Sequence, residues 1–295
     1  MTVTQDAYDE QARLWNGVAG RAWVDTQATL DQLFRPLEDL LTQAVAAATQ
    51  AGDRLLDVGC GTGATTLAIA RLHDGQRHCI GLDISEPMIE AARARAAREG
   101  SAASFVCADA QRHVFEPASF DMVVSRLGVM FFDDPVSAFA NLRSAAREGA
   151  ALRFIAWRGA ADNPFMTTAE RAAAPLLPNL PVRKPGAPGQ FAFADPRKVR
   201  SLLEDSGWTD IDIQPVDLPC ALPEKDLLGY LTRLGPVGLA LEEADAQTRA
   251  HVIATVRSAF DAYVHGDEVR MTAACWTVGA RASSASATPG EKTNA

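Results

Sequence analysis

The sequence lacks any long apolar run. Its 295 residues are 47% hydrophobic, but no stretch reaches the roughly 20 residues that a membrane helix needs. No apolar segment typical of a secretory signal follows the first residues. We therefore expect no membrane insertion and a cytoplasmic location.

Cysteines are few and scattered. There are five, an odd number, and none forms a Cys-x-x-Cys pair. Cys60, Cys79 and Cys107 fall in or beside predicted buried strands, where cysteine packs as a small apolar side chain. This usage suits a reducing compartment, and the sequence predicts no metal site.

Basic residues are outnumbered. The chain has 28 Lys and Arg against 37 Asp and Glu, for a net charge of −9. A nucleic-acid partner or an anionic membrane surface favours a basic face, so neither is expected. The length is large for one domain and short for two full ones. With nucleic acid and membrane not expected, the partner expected is a small molecule. Nothing in the sequence indicates the oligomeric state.

Glycines, in contrast, are concentrated at one informative place. Leu55–Val58 has the pattern of a short buried strand, and Gly59, Gly61 and Gly63 follow it directly. Glycine lets the backbone turn tightly and a ligand approach closely. Asp83 ends the next apolar run, where a carboxylate can accept hydrogen bonds from both hydroxyls of a ribose. The two features together predict a nucleoside cofactor.

Two kinds of cofactor fit these glycines. Gly59-x-Gly61-x-x-Ala64 satisfies the dinucleotide fingerprint, in which a pyrophosphate binds at a helix N-terminus. The carboxylate of Asp57 just before the turn is unfavourable beside a pyrophosphate. It suits the ammonium group of a sulfonium amino acid instead.

Four motifs in order carry a family resemblance. They are Leu-Asp-Val-Gly-Cys-Gly-Thr-Gly at 56–63, Gly-Leu-Asp-Ile-Ser-Glu-Pro-Met-Ile at 81–89, Cys-Ala-Asp-Ala at 107–110 and Phe-Asp-Met-Val-Val-Ser-Arg at 120–126. Over residues 50–160 the chain resembles the class I S-adenosylmethionine-dependent methyltransferases, most closely their ubiquinone/menaquinone-biosynthesis-like small-molecule branch. The resemblance implies S-adenosyl-L-methionine as cofactor and methyl transfer to a small molecule by in-line displacement.

The fold expected is α/β. The alternation of strands and helices predicts a parallel sheet with helices on both faces, and the resemblance implies seven strands with the last one antiparallel. The predicted segments are an N-terminal helical lid (1–49), a cofactor-binding α/β core (50–160), a Pro-rich insertion followed by a helix and strand six (161–222), a helical cap insertion (223–265), a final strand (266–281) and a disordered tail (282–295).

The resemblance also implies the site residues. Gly59 and Gly61 would line the methionyl part, Asp83 the ribose, Ile84 and Met88 the adenine, and Asp109 and Ala110 the adenine edge. The full cofactor set is Trp23, Asp57, Gly59, Gly61, Asp83, Ile84, Met88, Asp109, Ala110 and Ser125, and the substrate set is Arg126, Phe165 and Phe191. Trp23 could close over the cofactor or anchor a helix. Arg126 could bind an acidic or carbonyl group of the acceptor or pair with a structural carboxylate.

Several alternatives stay open. No catalytic base is identified, and O, N, C and S acceptors fit equally. A nicotinamide-dependent oxidoreductase is a second hypothesis, although no tyrosine has a lysine four residues later. A non-catalytic cofactor-binding subunit is a third.

Overall fold

The computed structural model describes residues 5–72, 78–181, 183–184 and 186–283, with side chains from residue 10 onward. Four helices come first: α1 (Gln5–Asn16), α2 (Val18–Asp25), α3 (Gln27–Leu33) and α4 (Arg35–Ala48). Pro36 lies in the first turn of α4, where its missing N–H costs nothing. Pro36 within the apolar run at 30–45 predicts a break between two helices, and α3 and α4 are indeed separate. The tail predicted over 282–295 falls outside the described residues from 284 onward.

The α/β core follows the predicted alternation closely. Its elements are β1 (Arg54–Val58), α5 (Ala64–Ala70), β2 (His78–Asp83), α6 (Glu86–Glu99), β3 (Ser104–Cys107), β4 (Phe120–Arg126), α7 (Pro135–Ala145) and β5 (Ala146–Trp157). The strands pair in parallel in the order β3-β2-β1-β4-β5. The chain moves from β1 to one side of the sheet and from β4 to the other, so the switch point lies between these two strands. In open α/β sheets, ligands bind outside the carboxyl ends at such a point.

The C-terminal third completes the sheet. It contains α8 (Phe165–Ala173), α9 (Pro196–Asp205), β6 (Thr209–Pro223), α10 (Glu224–Arg233), α11 (Gly235–Glu243), α12 (Ala246–Ala259), β7 (Val264–His265) and β8 (Glu268–Arg281). β8 lies between β5 and β6 and is antiparallel to both. The predicted mostly parallel sheet with an antiparallel last strand is thus confirmed. The two-residue β7 pairs with the start of β8 and adds a short eighth strand.

Two details differ from expectation. The Pro-rich insertion contains a helix, α8, and Asn163 at its start is buried and bonds both backbone atoms of Ala274. The stretch before α9 is packed, as its phenylalanines predict, and the Phe193 and Phe154 ring centroids lie 6.1 Å apart. The apolar alternation predicts strand six over 208–216, but β6 runs on to Pro223 because it pairs with β8 up to that residue.

Candidate functional site

A cleft opens at the carboxyl edge of β1–β4, beneath α1–α3. Its empty volume, which includes space open to solvent at the mouth, is about 1060 Å³. The residues that line it are Gln11, Trp15, Trp23, Leu30, Asp31, Phe34, Val58, Gly59, Cys60, Gly61, Thr62, Leu82, Asp83, Ile84, Met88, Ala108, Asp109, Ala110, Gln111, Arg126, Leu127, Gly128, Phe131, Phe132 and Asp133.

The glycine turn forms the floor of the cleft. Gly59 has φ +68° and Gly61 has φ +54°, the left-handed region that side chains disfavour. A Cβ on Gly59 would lie 2.6 Å from the Cα of Gly128. Because the two glycine backbones touch, the loop after β1 and the loop after β4 meet directly under the cleft.

Asp83 is fixed in the cleft by two backbone donors. Its Oδ2 accepts a hydrogen bond from the Gly61 N–H at 2.8 Å, and its Oδ1 accepts one from the Ser85 N–H at 2.9 Å. Burial raises the pKa of this carboxyl, and the Ser85 and Gly61 amides oppose the rise. Each oxygen keeps a lone pair for a further donor, so a rigid acceptor pair faces the cleft.

Asp109 and Ala110 lie at the far end, after β3. The Asp109 Oδ1 accepts from the Gln111 N–H at 2.9 Å, which orients the carboxylate locally. Asp133 approaches from the loop after β4, and its Oδ2 is buried without a hydrogen-bond partner among the described residues. Ile84 and the buried Met88 line the wall between this end and Asp83.

Asp57 and Ser125, both expected in the cofactor site, lie behind the wall of the cleft. The Asp57 carboxylate is 2% exposed and accepts from Thr66 Oγ1 at 2.6 Å, leaving Oδ1 unpartnered. Its burial raises its pKa to about 7. The Ser125 hydroxyl donates to the Val58 carbonyl at 2.7 Å and accepts from the Gly128 N–H. The strand ends direct these two side chains inward, where they join β1 to its neighbours.

Arg126 lines the cleft on the β4 side. Its Nε donates to Thr65 Oγ1 at 2.8 Å, and its guanidinium lies over the Phe34 ring, 5.9 Å from the centroid. Burial lowers the pKa of Arg126, while the charges of Glu38, Asp57 and Asp31 oppose that change. Among the described residues, no carboxylate oxygen lies within 4.0 Å of a guanidinium nitrogen of Arg126, the distance that defines an ion pair. The structural ion pair considered from the sequence is therefore not formed within the described residues.

Phe165 and Phe191 are not among the described residues that line this cleft. Phe165 is buried against Trp157, with ring centroids 6.2 Å apart, and Phe191 lies under the guanidinium of Arg183. The cap helices α10–α12 pack on one another, on α8 and on β6 and β8, and α11 also contacts α2. The described residues that line the cleft all fall within 11–133, so an acceptor side formed by the insertions at 161–222 and 223–265 stays a prediction.

The N-terminal helices cover the cleft. The Asn16 side chain donates to the Ile84 carbonyl at 3.0 Å and accepts from the Glu86 N–H at 2.9 Å. Ser85 Oγ donates to the Trp15 carbonyl, and the Trp15 and Trp23 rings meet edge to face at 6.1 Å. This cover is thus bonded to the loop that follows Asp83.

Sequence reasoning missed several lining residues. Leu30 and Phe34 recur at the spacing of an apolar helix face, and that spacing does not separate a core face from a cleft wall. Leu127 has φ +65° without being glycine, a strained conformation of the kind that clusters at functional sites. Nothing in the sequence marks that strain.

A comparison with known protein families supports the interpretation of the α/β core. Residues 55–149 match the family model described as a methyltransferase domain. This segment is similar to methyltransferase domains. It coincides with the region of the four motifs, so the family resemblance is confirmed there, while the ubiquinone-like branch stays a prediction.

Relatives cover different shares of the chain. An uncharacterised protein of Mycobacterium tuberculosis is 30% identical over 157 residues, 53% of this chain and 56% of that protein. The chain therefore spans about half the length of this relative. Nocamycin O-methyltransferase of Saccharothrix syringae is 27% identical over 260 residues, 83% of this chain and 90% of that protein.

A solved structure shows the same fold. The YcgJ protein of Bacillus subtilis superposes with a TM-score of 0.56 at 16% identity, covering 84% of this chain and 98% of that one.

Within the described residues, each helix is too short or too polar to cross a membrane.

Proposed function

We propose that this chain transfers a methyl group from S-adenosylmethionine to a small-molecule acceptor. The observation that carries the proposal is the order of groups along one sheet edge. Asp109 follows β3, Asp83 ends β2, and the glycine turn follows β1. Neighbouring strands lie about 4.8 Å apart, so adenine, ribose and methionyl groups of one extended ligand would meet these three features in turn.

The reaction itself needs little from the protein. A lone pair of the acceptor attacks the methyl carbon, and the C–S bond breaks with its electron pair going to sulfur. The sulfonium becomes a neutral thioether, and an acceptor that carried a proton releases it. The protein contributes alignment and exclusion of water, for which effective molarities of about 10⁵–10⁸ M set the scale.

The acceptor class follows from the walls of the cleft. Trp15, Phe131 and Phe132 line the cleft, and these aromatic walls suit a small apolar or aromatic acceptor. The nocamycin O-methyltransferase relative supports a small-molecule acceptor and favours oxygen as the methylated atom. No base is assigned, because His113, His251 and His265 are not among the described lining residues.

The oxidoreductase hypothesis is less well supported. The buried side chain of Asp57 lies directly before the glycine turn. A pyrophosphate placed there would meet like charge at short range, which disfavours it.

Transfer of an isotopically labelled methyl group tests the proposal. The chain is incubated with labelled S-adenosylmethionine and a small-molecule extract of its native host, and products are detected by mass spectrometry. We expect label in a low-molecular-weight product, loss of that product with Asp83→Ala, and no change with Asp205→Asn, a carboxylate on the exposed face of α9. Tight cofactor binding without any labelled product would indicate the non-catalytic subunit instead.

A further inference from the structure

Arg126 has donors that the protein leaves unused. Only its Nε has a hydrogen-bond partner among the described residues, and that partner, Thr65 Oγ1, belongs to a side chain that is itself buried. Thr65 and the Phe34 ring hold the guanidinium plane in place. Nη1 and Nη2 are not among the fully buried, unpartnered polar atoms of the described residues, and Arg126 is one of the residues that line the cleft.

We propose that Arg126 binds a ligand carboxylate through these two nitrogens. The fork of a guanidinium matches the two oxygens of a carboxylate in a bidentate pair. Partial burial strengthens such a pair and makes an empty fork costly. The inference rests on the proposed function in one respect, because the proposed function determines which molecule carries the carboxylate.

The position of Arg126 favours the methionyl end of the cofactor as one source. Arg126 ends β4, on the opposite side of β1 from Asp83. Two strand spacings, about 10 Å, separate the ends of β2 and β4. A ligand with its ribose at Asp83 and its chain over the glycine turn would extend toward Arg126.

Nearby acids limit which anions fit. The charges of Glu38, Asp57 and Asp31 act on Arg126, and they would repel a bare anion. Asp31 is already paired with Arg95 at 2.7 Å, and burial raises the pKa of Glu38, which reduces the repulsion. A carboxylate with an adjacent ammonium group suits this setting best. A carboxylate on the methyl acceptor is the other source of the same chemistry.

Binding measurements with matched ligands test the proposal. S-adenosylhomocysteine carries the amino-carboxylate, and 5′-methylthioadenosine lacks it. Both are titrated into the wild-type chain, Arg126→Gln, Arg126→Lys and the exposed control Arg200→Gln. If the cofactor supplies the carboxylate, Arg126→Gln weakens S-adenosylhomocysteine binding at least about tenfold, leaves 5′-methylthioadenosine unchanged, and is partly rescued by Arg126→Lys.

A second arm detects an acceptor carboxylate. Benzoate is titrated into the S-adenosylhomocysteine complex of each variant. Benzoate binding that is lost in Arg126→Gln, with both nucleosides unaffected, supports the carboxylate site with the acceptor as its source. The proposal is overturned if a folded Arg126→Gln protein binds all three probes like the wild type, or loses both nucleosides equally. Failure of the wild-type chain to bind either nucleoside would instead refute the proposed function.

Discussion

At the scale of single residues, Asp83 has two tasks. It accepts hydrogen bonds from the backbone N–H groups of Gly61 and Ser85, and its remaining lone pairs face the cleft. Asp83→Ala should weaken S-adenosylhomocysteine binding by about ten- to a hundredfold, since a hydrogen bond to a charged group contributes about 1.5–3 kcal/mol. It should also lower the melting temperature, because two amides lose their acceptor. Calorimetry and thermal unfolding of Asp83→Ala and the Asp205→Asn control check both effects; an unchanged dissociation constant in folded Asp83→Ala would remove Asp83 from the site.

Asp57 predicts a pH dependence of stability. Burial raises its pKa from 3.8 to about 7 in the folded chain, so the folded state binds more protons than the unfolded state between these values. Its contribution to stability is therefore complete below about pH 4 and is lost as pH rises through 7. In Asp57→Asn the amide cannot ionise and can still accept from Thr66.

Denaturant unfolding of the wild type and Asp57→Asn from pH 5 to 8 measures this effect. The stability of Asp57→Asn relative to the wild type should increase with pH over that window and level off above it. A difference that is constant with pH would show that Asp57 does not titrate there.

At the scale of elements, α1 and α2 are expected to close the cleft through Asn16. Its side chain bonds the backbone on both sides of Ser85, next to Asp83. Asn16→Ala removes those bonds and should speed release of S-adenosylhomocysteine severalfold while raising hydrogen exchange in residues 10–25. Stopped-flow release and exchange mass spectrometry provide the measurement, with the exposed Arg21→Ala on α2 as control. Equal release rates for Asn16→Ala and Arg21→Ala would show that Asn16 does not hold the cleft closed.

Helix boundaries show what local sequence determines. The Asp195-Pro196 pair predicts the start of α9, and the Asp195 carboxylate does accept from the Arg197 N–H. Ser85 occupies the predicted N-cap of α6, yet its hydroxyl bonds Trp15 in another helix. Capping depends on a few neighbouring residues and can be predicted from the local sequence. Competition from a backbone atom that is distant in sequence cannot be predicted in this way.

At the scale of the whole molecule, the site residues at successive strand ends were predictable because parallel strands bring their carboxyl ends to one edge. Gly59, Asp83 and Asp109 meet there as expected. Asp57 and Ser125 each precede a residue that lines the cleft, Val58 and Arg126. Because successive side chains of a strand point to opposite faces, Asp57 and Ser125 point behind the wall. The location of the cap depends on long-range packing against α8 and β8, which no local pattern encodes.

The cap is therefore expected to stabilise the fold without shaping the cofactor site. Leu231 is 3% exposed in α10 and Leu228 is 45% exposed in the same helix. Leu231→Ala should cost about 2–5 kcal/mol of unfolding free energy, Leu228→Ala much less, and both should bind S-adenosylhomocysteine like the wild type. A large loss of affinity in folded Leu231→Ala would connect the cap to the cleft.

The most direct test of the account is a calorimetric titration of the wild-type chain with S-adenosylmethionine, S-adenosylhomocysteine and NAD⁺ at neutral pH. The arrangement of Asp109, Asp83 and the glycine turn predicts that both sulfur nucleosides bind with one site per chain and that NAD⁺ does not bind. Tight binding of NAD⁺ with no heat from either sulfur nucleoside would contradict it.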